Sequence, residues 1–122
     1  MNELVTGSAS PPGKSKYGNK RCSIGAEKYR SQREARRHQE LLLLERAGQV
    51  AGLSREVPFV LAPQARIDGR LRPAIRYFAD FVYTDVRKGV IVVEDCKGDR
   101  TYAYRIKRHL MMTVHRVAIL ET

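Results

Sequence analysis

The tightest constraint on what this chain can fold into is a pair of β-rich runs joined by a short polar link. Ile75 to Tyr83 and Gly89 to Lys97 are rich in Val, Ile, Phe and Tyr, and Thr84 to Lys88 between them ends on Gly89. That spacing predicts an antiparallel hairpin. Upstream the period changes. Ser31 to Ala47 predicts a helix, because Ser31 and Glu34 have capping-box spacing, Gly48 is a C-terminal stop, and Ala35, Leu41, Leu42 and Leu44 make a stripe to bury. Val57 to Leu61 predicts a short strand at a sheet edge, since Pro58 has no amide to donate. Tyr102 to Met112 predicts a second, basic helix, and Val114 to Leu120 a last strand. The order is α-β-β-β-α-β, an α/β (α+β) arrangement with a mixed sheet flanked by helices. With 122 residues, 43% of them hydrophobic, the chain has room for one domain and a tail. The tail is residues 1–20, rich in Gly, Ser, Pro, Asn and Lys and read as flexible and basic; the domain is 21–122.

Charge points to the partner. Twenty-three Lys and Arg against thirteen Asp and Glu give a formal charge of +10, a field that attracts polyanions and releases counterions from nucleic acid on binding. Cys22 and Cys96 are too few for a disulfide framework. The apolar runs Leu41–Leu44 and Val90–Val93 are too short to span a bilayer, and no apolar segment at the N-terminus suits a signal peptide. A cytoplasmic protein with reduced thiols is expected. Gly13-Lys14-Ser15 resembles the end of a phosphate-binding loop, but Ser8 stands where that loop needs its first Gly and no strand precedes it, so it is set aside.

Alternation along a strand puts Asp95 and Lys97 on one face and Glu94 and Cys96 on the other. Asp80, on the preceding strand, can sit across the hairpin from Asp95. Two carboxylates and a lysine then converge where the hairpin leaves the sheet, before Gly98. Such a group suits a hard divalent cation such as Mg²⁺, which takes carboxylate and carbonyl oxygens and bridges to phosphate, with the lysine offsetting charge or orienting water. The plainer reading of Asp95 and Lys97 is an exposed ion pair, worth under about 1 kcal/mol.

Asp80 followed by Asp95-Cys96-Lys97 resembles the D…(D/E)-x-K signature of the PD-(D/E)XK nuclease superfamily, and the element order resembles its restriction-endonuclease-like core. The wider pattern resembles a family of small phage- and prophage-borne proteins long described only as a domain of unknown function. It comprises Lys16-Tyr17-Gly18-Asn19-Lys20, Ser31-x-x-Glu34-Ala35, a Leu-rich run ending in Ala47-Gly48, Ala79-Asp80-Phe81, and Val93-Glu94-Asp95-Cys96-Lys97-Gly98. The resemblance covers roughly residues 16 to 122. It implies Asp80 and Asp95 as metal ligands with the backbone carbonyl of Cys96, Lys97 as the catalytic lysine, and Glu34 as a first-helix glutamate completing the site. Ala79 stands where the superfamily's name has proline. The implied activity is a Mg²⁺- or Mn²⁺-dependent DNA endonuclease in a bacterial host cell, hydrolysing phosphodiesters to 5′-phosphate and 3′-hydroxyl ends. Branched or replicating phage DNA is a candidate substrate. A homodimer is compatible with this, though no sequence feature requires one. The alternative is a non-catalytic nucleic-acid-binding module that retains the fold; a phage structural protein is a remoter third.

Other residues have plainer readings. Glu34 has a rival role as capping partner of Ser31, and both roles stay open. Glu94 reads as a solvated charge, Asp85 and Asp99 as turn residues, His38 as a satisfied helix histidine, and Cys96 as a small core residue. His109 and His115 show no obvious partner. Tyr77, Tyr83, Tyr102 and Tyr104 can stack on bases, though half or more should simply pack. Arg105, Lys107 and Arg108 follow the D-x-K strand and are expected on phosphates, with Arg105 and Arg108 sharing a helix face and Lys107 to the side.

Overall fold

The computed structural model describes residues 21–25 and 27–122, so the tail expected over 1–20 lies outside the described residues, as does Gly13-Lys14-Ser15. The chain divides into two compact units at Glu40/Leu41. No helix among the described residues is long and apolar enough to cross a membrane.

In the first unit, β1 (Cys22–Ile24) and β2 (Glu27–Tyr29) form an antiparallel hairpin. The helix α1 (Gln32–Arg46) begins in this unit and ends in the second. Its start is a capping box: the Glu34 amide donates to Ser31 Oγ at 3.2 Å, and the Glu34 carboxylate accepts from the Arg30 amide at 2.9 Å. His38 is buried and bonded to the Tyr29 hydroxyl at 2.6 Å through Nδ1, the satisfied histidine expected.

In the second unit, α1 ends as its glycine predicts. Gly48 takes φ +79°, its amide donates to Glu45 O at 3.0 Å, and the Gln49 amide donates to Leu44 O at 2.9 Å, the two bonds of a Schellman motif. The chain then forms β3 (Val50–Ala62), β4 (Ala65–Ile67), β5 (Arg70–Arg72), β6 (Ile75–Asp85), β7 (Val90–Asp95), α2 (Tyr102–His115) and β8 (Leu120–Glu121). A four-stranded mixed sheet has the order β3-β6-β7-β8. The first three strands are antiparallel, while β7 and β8 are parallel, which requires the crossover that α2 supplies. One mixed sheet and two helices among the described residues make this the α+β fold expected.

Several boundaries differ from expectation. The hairpin strands are Ile75–Asp85 and Val90–Asp95 rather than Ile75–Tyr83 and Gly89–Lys97, so Lys97 lies just past the end of β7. The strand expected at Val57–Leu61 is thirteen residues long, although Pro58 does lie on an edge strand. Helix α2 runs on to His115, where Arg116 ends it in the left-handed conformation at φ 59°. Val114 is therefore helical, and the last strand shrinks to Leu120–Glu121: a β-branched residue is a weak bias against an intact helical ladder. The β4–β5 hairpin adds to the expected order and turns at Asp68-Gly69, both residues with positive φ.

Two apolar clusters build this unit. Leu41, Val50, Phe81 and Tyr83 form one, with Leu44 and Val92 against it; Leu61, Tyr77, Ala79, Val93, Tyr104 and Met111 form the other. The division cuts through β6. Residues two apart share a face in a regular strand, yet Ala79 packs with the α2 residues and Phe81 with Leu41, so the strand turns over at Asp80. Ala79, Asp80 and Phe81 are consecutively buried. On the facing strand Glu56 takes φ 54°, between the pairs Arg55–Phe81 and Val57–Ala79. A left-handed non-glycine costs on the order of 1 kcal/mol; here that distortion accompanies a strand that presents apolar side chains to both clusters.

Candidate active site

The β6–β7 ladder ends one step short of Asp80. Phe81 pairs with Glu94, and beyond that pair the Cys96 amide donates to Asp80 Oδ2 at 2.8 Å. A carboxylate takes the amide that the next ladder bond would have used, which ties Asp80 on β6 to the chain leaving β7. Asp80 and Asp95 are each only 2% exposed. Burial of ionised carboxylates is costly unless partners compensate, and both have them.

Asp95 is held from two sides. The Tyr77 hydroxyl donates to its Oδ2, and Lys97 Nζ lies 3.3 Å from its Oδ1. Burial, then the neighbouring Asp95, pushes the Tyr77 hydroxyl far above the usual phenol range, so it stays a proton donor. The Lys97 ammonium also sits 4.4 Å from the centre of the Tyr104 ring, a cation–π contact. With the Lys97 side chain 25% exposed and Asp95 nearly sealed, this is not the exposed ion pair of the plainer reading. Lys97 lies past the end of β7 rather than on the strand, yet its ammonium reaches Asp95, and Asp80 joins them through the Cys96 amide. Tyr77 and Tyr104 pack 6.5 Å apart beside the pair, and Tyr83 packs in the Leu41 cluster, while Tyr102 is exposed.

Sequence reasoning missed two acids. Glu56, exposed, puts a carboxylate oxygen within 4.8 Å of one on Asp80. The register opposes them, but no local signal in a strand announces a positive φ. Glu121 accepts from the Tyr104 hydroxyl at 2.7 Å, Arg100 Nε at 2.7 Å and Arg108 Nη1 at 3.1 Å. Those bonds, the tyrosine's first, hold its carboxyl down to about 2.

Glu94 corrects an expectation. It is fully buried rather than solvated, accepting from the Tyr83 hydroxyl at 2.7 Å and from Thr122 Oγ1 at 3.1 Å. The reason is tertiary: the face opposite Asp95 is covered by the Leu41 cluster and by the chain end, where Thr122 donates its amide to Asp95 O at 2.9 Å. Cys96 packs half-buried against that cluster, as expected of a small core residue. Asp85 is the turn residue expected, accepting the Arg87 and Lys88 amides. His115 has a partner after all, Val60 O at 2.7 Å from Nε2. Glu34 occupies the third position of α1 with one oxygen engaged in the cap.

On α2, Arg105 and Arg108 line a hollow of about 300 Å³ with His109, Met112 and the segment Val117–Ile119, while Lys107 falls outside it, in keeping with the predicted faces. Arg108 is partly neutralised by Glu121, so Arg105 is the more available cation.

The donor chemistry at Asp80 and Asp95 fits a hard divalent cation: carboxylate oxygens, already desolvated, beside a further acid at Glu56. A buried tyrosine–carboxylate–lysine chain next to those oxygens can hold a proton donor and an ammonium at fixed positions. No curated protein and no solved structure matches the chain. Residues 14–120 do match a family model, and the chain belongs to that family, described as protein of unknown function (DUF1064).

Proposed function

We propose that this protein is a metal-dependent DNA endonuclease of the PD-(D/E)XK type with a restriction-endonuclease-like core. One observation carries the reading: the amine of Lys97 lies 3.3 Å from a buried Asp95 carboxylate whose strand is tied to Asp80 through the Cys96 amide. The order of these residues along the chain matches the D…D-x-K signature, and the +10 charge suits a polyanionic substrate.

In this mechanism Asp80, Asp95 and the Cys96 carbonyl would hold Mg²⁺ or Mn²⁺. When bound, such a cation would supply a more acidic water and would offset charge on the scissile phosphate. Lys97 donates a hydrogen bond to the attacking water and stabilises charge as it develops on the phosphate oxygens. Tyr77 fixes the Asp95 carboxylate and keeps its own proton. The Tyr104 ring shields one side of the Lys97 ammonium from water, which strengthens its pull on an anion. Arg105 and Lys107, with Arg108 beside them, contact the DNA backbone. Hydrolysis leaves 5′-phosphate and 3′-hydroxyl ends, and branched or replicating phage DNA in the cytoplasm is the substrate proposed. A homodimer would place two such sites for double-strand cutting.

The competing reading is a nucleic-acid-binding module that keeps the fold without cutting. It is favoured by the fact that both Asp95 oxygens already face groups of the chain itself, Tyr77 and Lys97. Supercoiled, linear and four-way-junction DNA incubated with Mg²⁺ separates the two. Cutting by the wild type that is lost in Asp80→Ala, Asp95→Ala and Lys97→Ala supports the nuclease. Binding of all three DNAs with no cutting selects the module, and cutting that survives Asp95→Ala and Lys97→Ala ends this mechanism. Glu34→Gln keeps the acceptor for the Arg30 amide; loss of cutting without loss of thermal stability would place Glu34 in the catalytic set.

A further inference from the structure

Between Ala62 and Ile75 the long β3–β6 pair gives way to a separate ribbon. Pro63 and Pro73 stand at its two joints, where each lacks the amide needed to continue the ladder. Beyond them β4 and β5 pair as Ala65–Arg72, Arg66–Leu71 and Ile67–Arg70. The tip is Asp68-Gly69, with φ of 52° and 76°, the two positive values of a type I′ turn. Arg66 braces it, donating from Nη1 to Gly69 O at 3.1 Å. Every residue from Ala65 to Arg72 is exposed, Ile67 and Leu71 among them. A two-stranded ribbon bare on both faces is marginal in water by itself. This one displays Arg66, Arg70, Arg72 and, at its base, Arg76, against the single acid Asp68.

We propose that this ribbon enters the major groove of duplex DNA. The inference rests on the reading above that DNA is the substrate, and it assigns the surface that holds the duplex away from the cutting site. A major groove about 12 Å wide admits a two-stranded ribbon, whose strands lie about 4.8 Å apart. Directly opposed residues share a face, so Arg70 and Arg72 project together beside Ile67 and Ala65, and Arg66 projects with Leu71 from the other face. Guanidinium groups on both faces reach the phosphates of both groove walls or the guanine edge between them, and the exposed Ile67 and Leu71 can meet thymine methyl groups. Arg70 lies ten residues before Asp80, a contour of at most about 34 Å at ~3.4 Å per residue. That is about one turn of B-form duplex. The backbones of Arg70 and Asp80 therefore lie within about one duplex turn of each other, close enough for both to act on one short duplex.

The test compares wild type with the exposed triple variant R66A/R70A/R72A and with the corresponding Arg→Lys triple. Binding to a 30-base-pair duplex is measured by fluorescence anisotropy in EDTA between about 50 and 200 mM salt, and a thermal melt establishes that each variant folds. The alanine triple is expected to lose at least tenfold in affinity, and its log K against log salt slope to become shallower by about 2 to 3. The lysine triple is expected to keep the slope while losing any guanine preference. With Mg²⁺, KM for the duplex rises and kcat holds. Wild-type affinity and slope in the alanine triple would overturn the proposal, as would an equal loss on a 30-nucleotide single strand, which has no groove. Ribbon-dependent binding to anionic phospholipid vesicles with DNA binding unchanged would overturn it as well. Arginine-dependent duplex binding without any cutting supports the ribbon and removes the nuclease reading. Cutting by wild type with arginine-independent binding does the reverse.

Discussion

Replacing Tyr77 by Phe tests how the candidate site is held together. The substitution removes one oxygen and leaves the ring, with its packing against Phe59 at 6.4 Å and Tyr104 at 6.5 Å between centroids, in place. What is lost is the hydroxyl that donates to Asp95, a carboxylate 2% exposed. A hydrogen bond to a charged group is worth about 1.5–3 kcal/mol, and a buried acceptor that loses its donor forfeits the compensation for its desolvation. The expected cost is therefore about 2 kcal/mol. For a chain of this size that lowers Tm by roughly 6–12 °C. The assay is denaturant unfolding of wild type, Tyr77→Phe, Asp95→Ala and the double variant as a cycle. In the Asp95→Ala background the phenol has no carboxylate to serve, so Tyr77→Phe should cost under about 0.5 kcal/mol there, leaving a coupling energy above about 1 kcal/mol. A cost for Tyr77→Phe that is the same in both backgrounds would refute the bond as an organiser of the site.

Glu121 supplies a pH prediction. Its folded-state value, about 2, lies below the ordinary 4.5, so its contribution to stability is complete above about pH 4.5 and is lost as pH falls toward 2. Thermal melts between pH 5 and 2 should show part of the acid destabilisation vanish in Glu121→Gln, and an unchanged profile would contradict the assignment. Arg116 holds a left-handed φ of 59° at the end of α2, so Arg116→Gly should stabilise by about 0.5–1 kcal/mol in denaturant unfolding. Ser31→Ala removes the oxygen that accepts the Glu34 amide and should cost about 1 kcal/mol. Glu94→Ala strands the buried hydroxyl of Tyr83 and should cost about 1–3 kcal/mol in denaturant unfolding.

How much of this was legible beforehand differs by residue, and the differences have a common cause. The caps of α1 were written in Ser31, Glu34 and Gly48 because each acts on amides and carbonyls within a few residues of itself. The hairpin of β6 and β7 was legible because its β-rich runs and the short link ending on Gly89 are properties of neighbouring residues alone. Pro58 signalled an edge strand for an equally local reason, its missing amide.

What needed the tertiary structure was everything set by which surface covers which. Glu94 carries the same carboxylate as an exposed glutamate, and only the packing of Tyr83 and Thr122 over it makes it a buried acceptor. Glu56 comes to Asp80 because a left-handed residue interrupts β3 where β6 turns over, and neither distortion has a sequence mark. Tyr77 finds Asp95 across eighteen residues of chain, and Glu121 gathers Tyr104, Arg100 and Arg108 from α2 and the loop before it. By itself the sequence determined periodicity, caps, charge and the order of the acidic and basic residues, since these depend on neighbours along the backbone. The folded structure decided burial, strand inversion and long-range partners, because those depend on where distant segments meet.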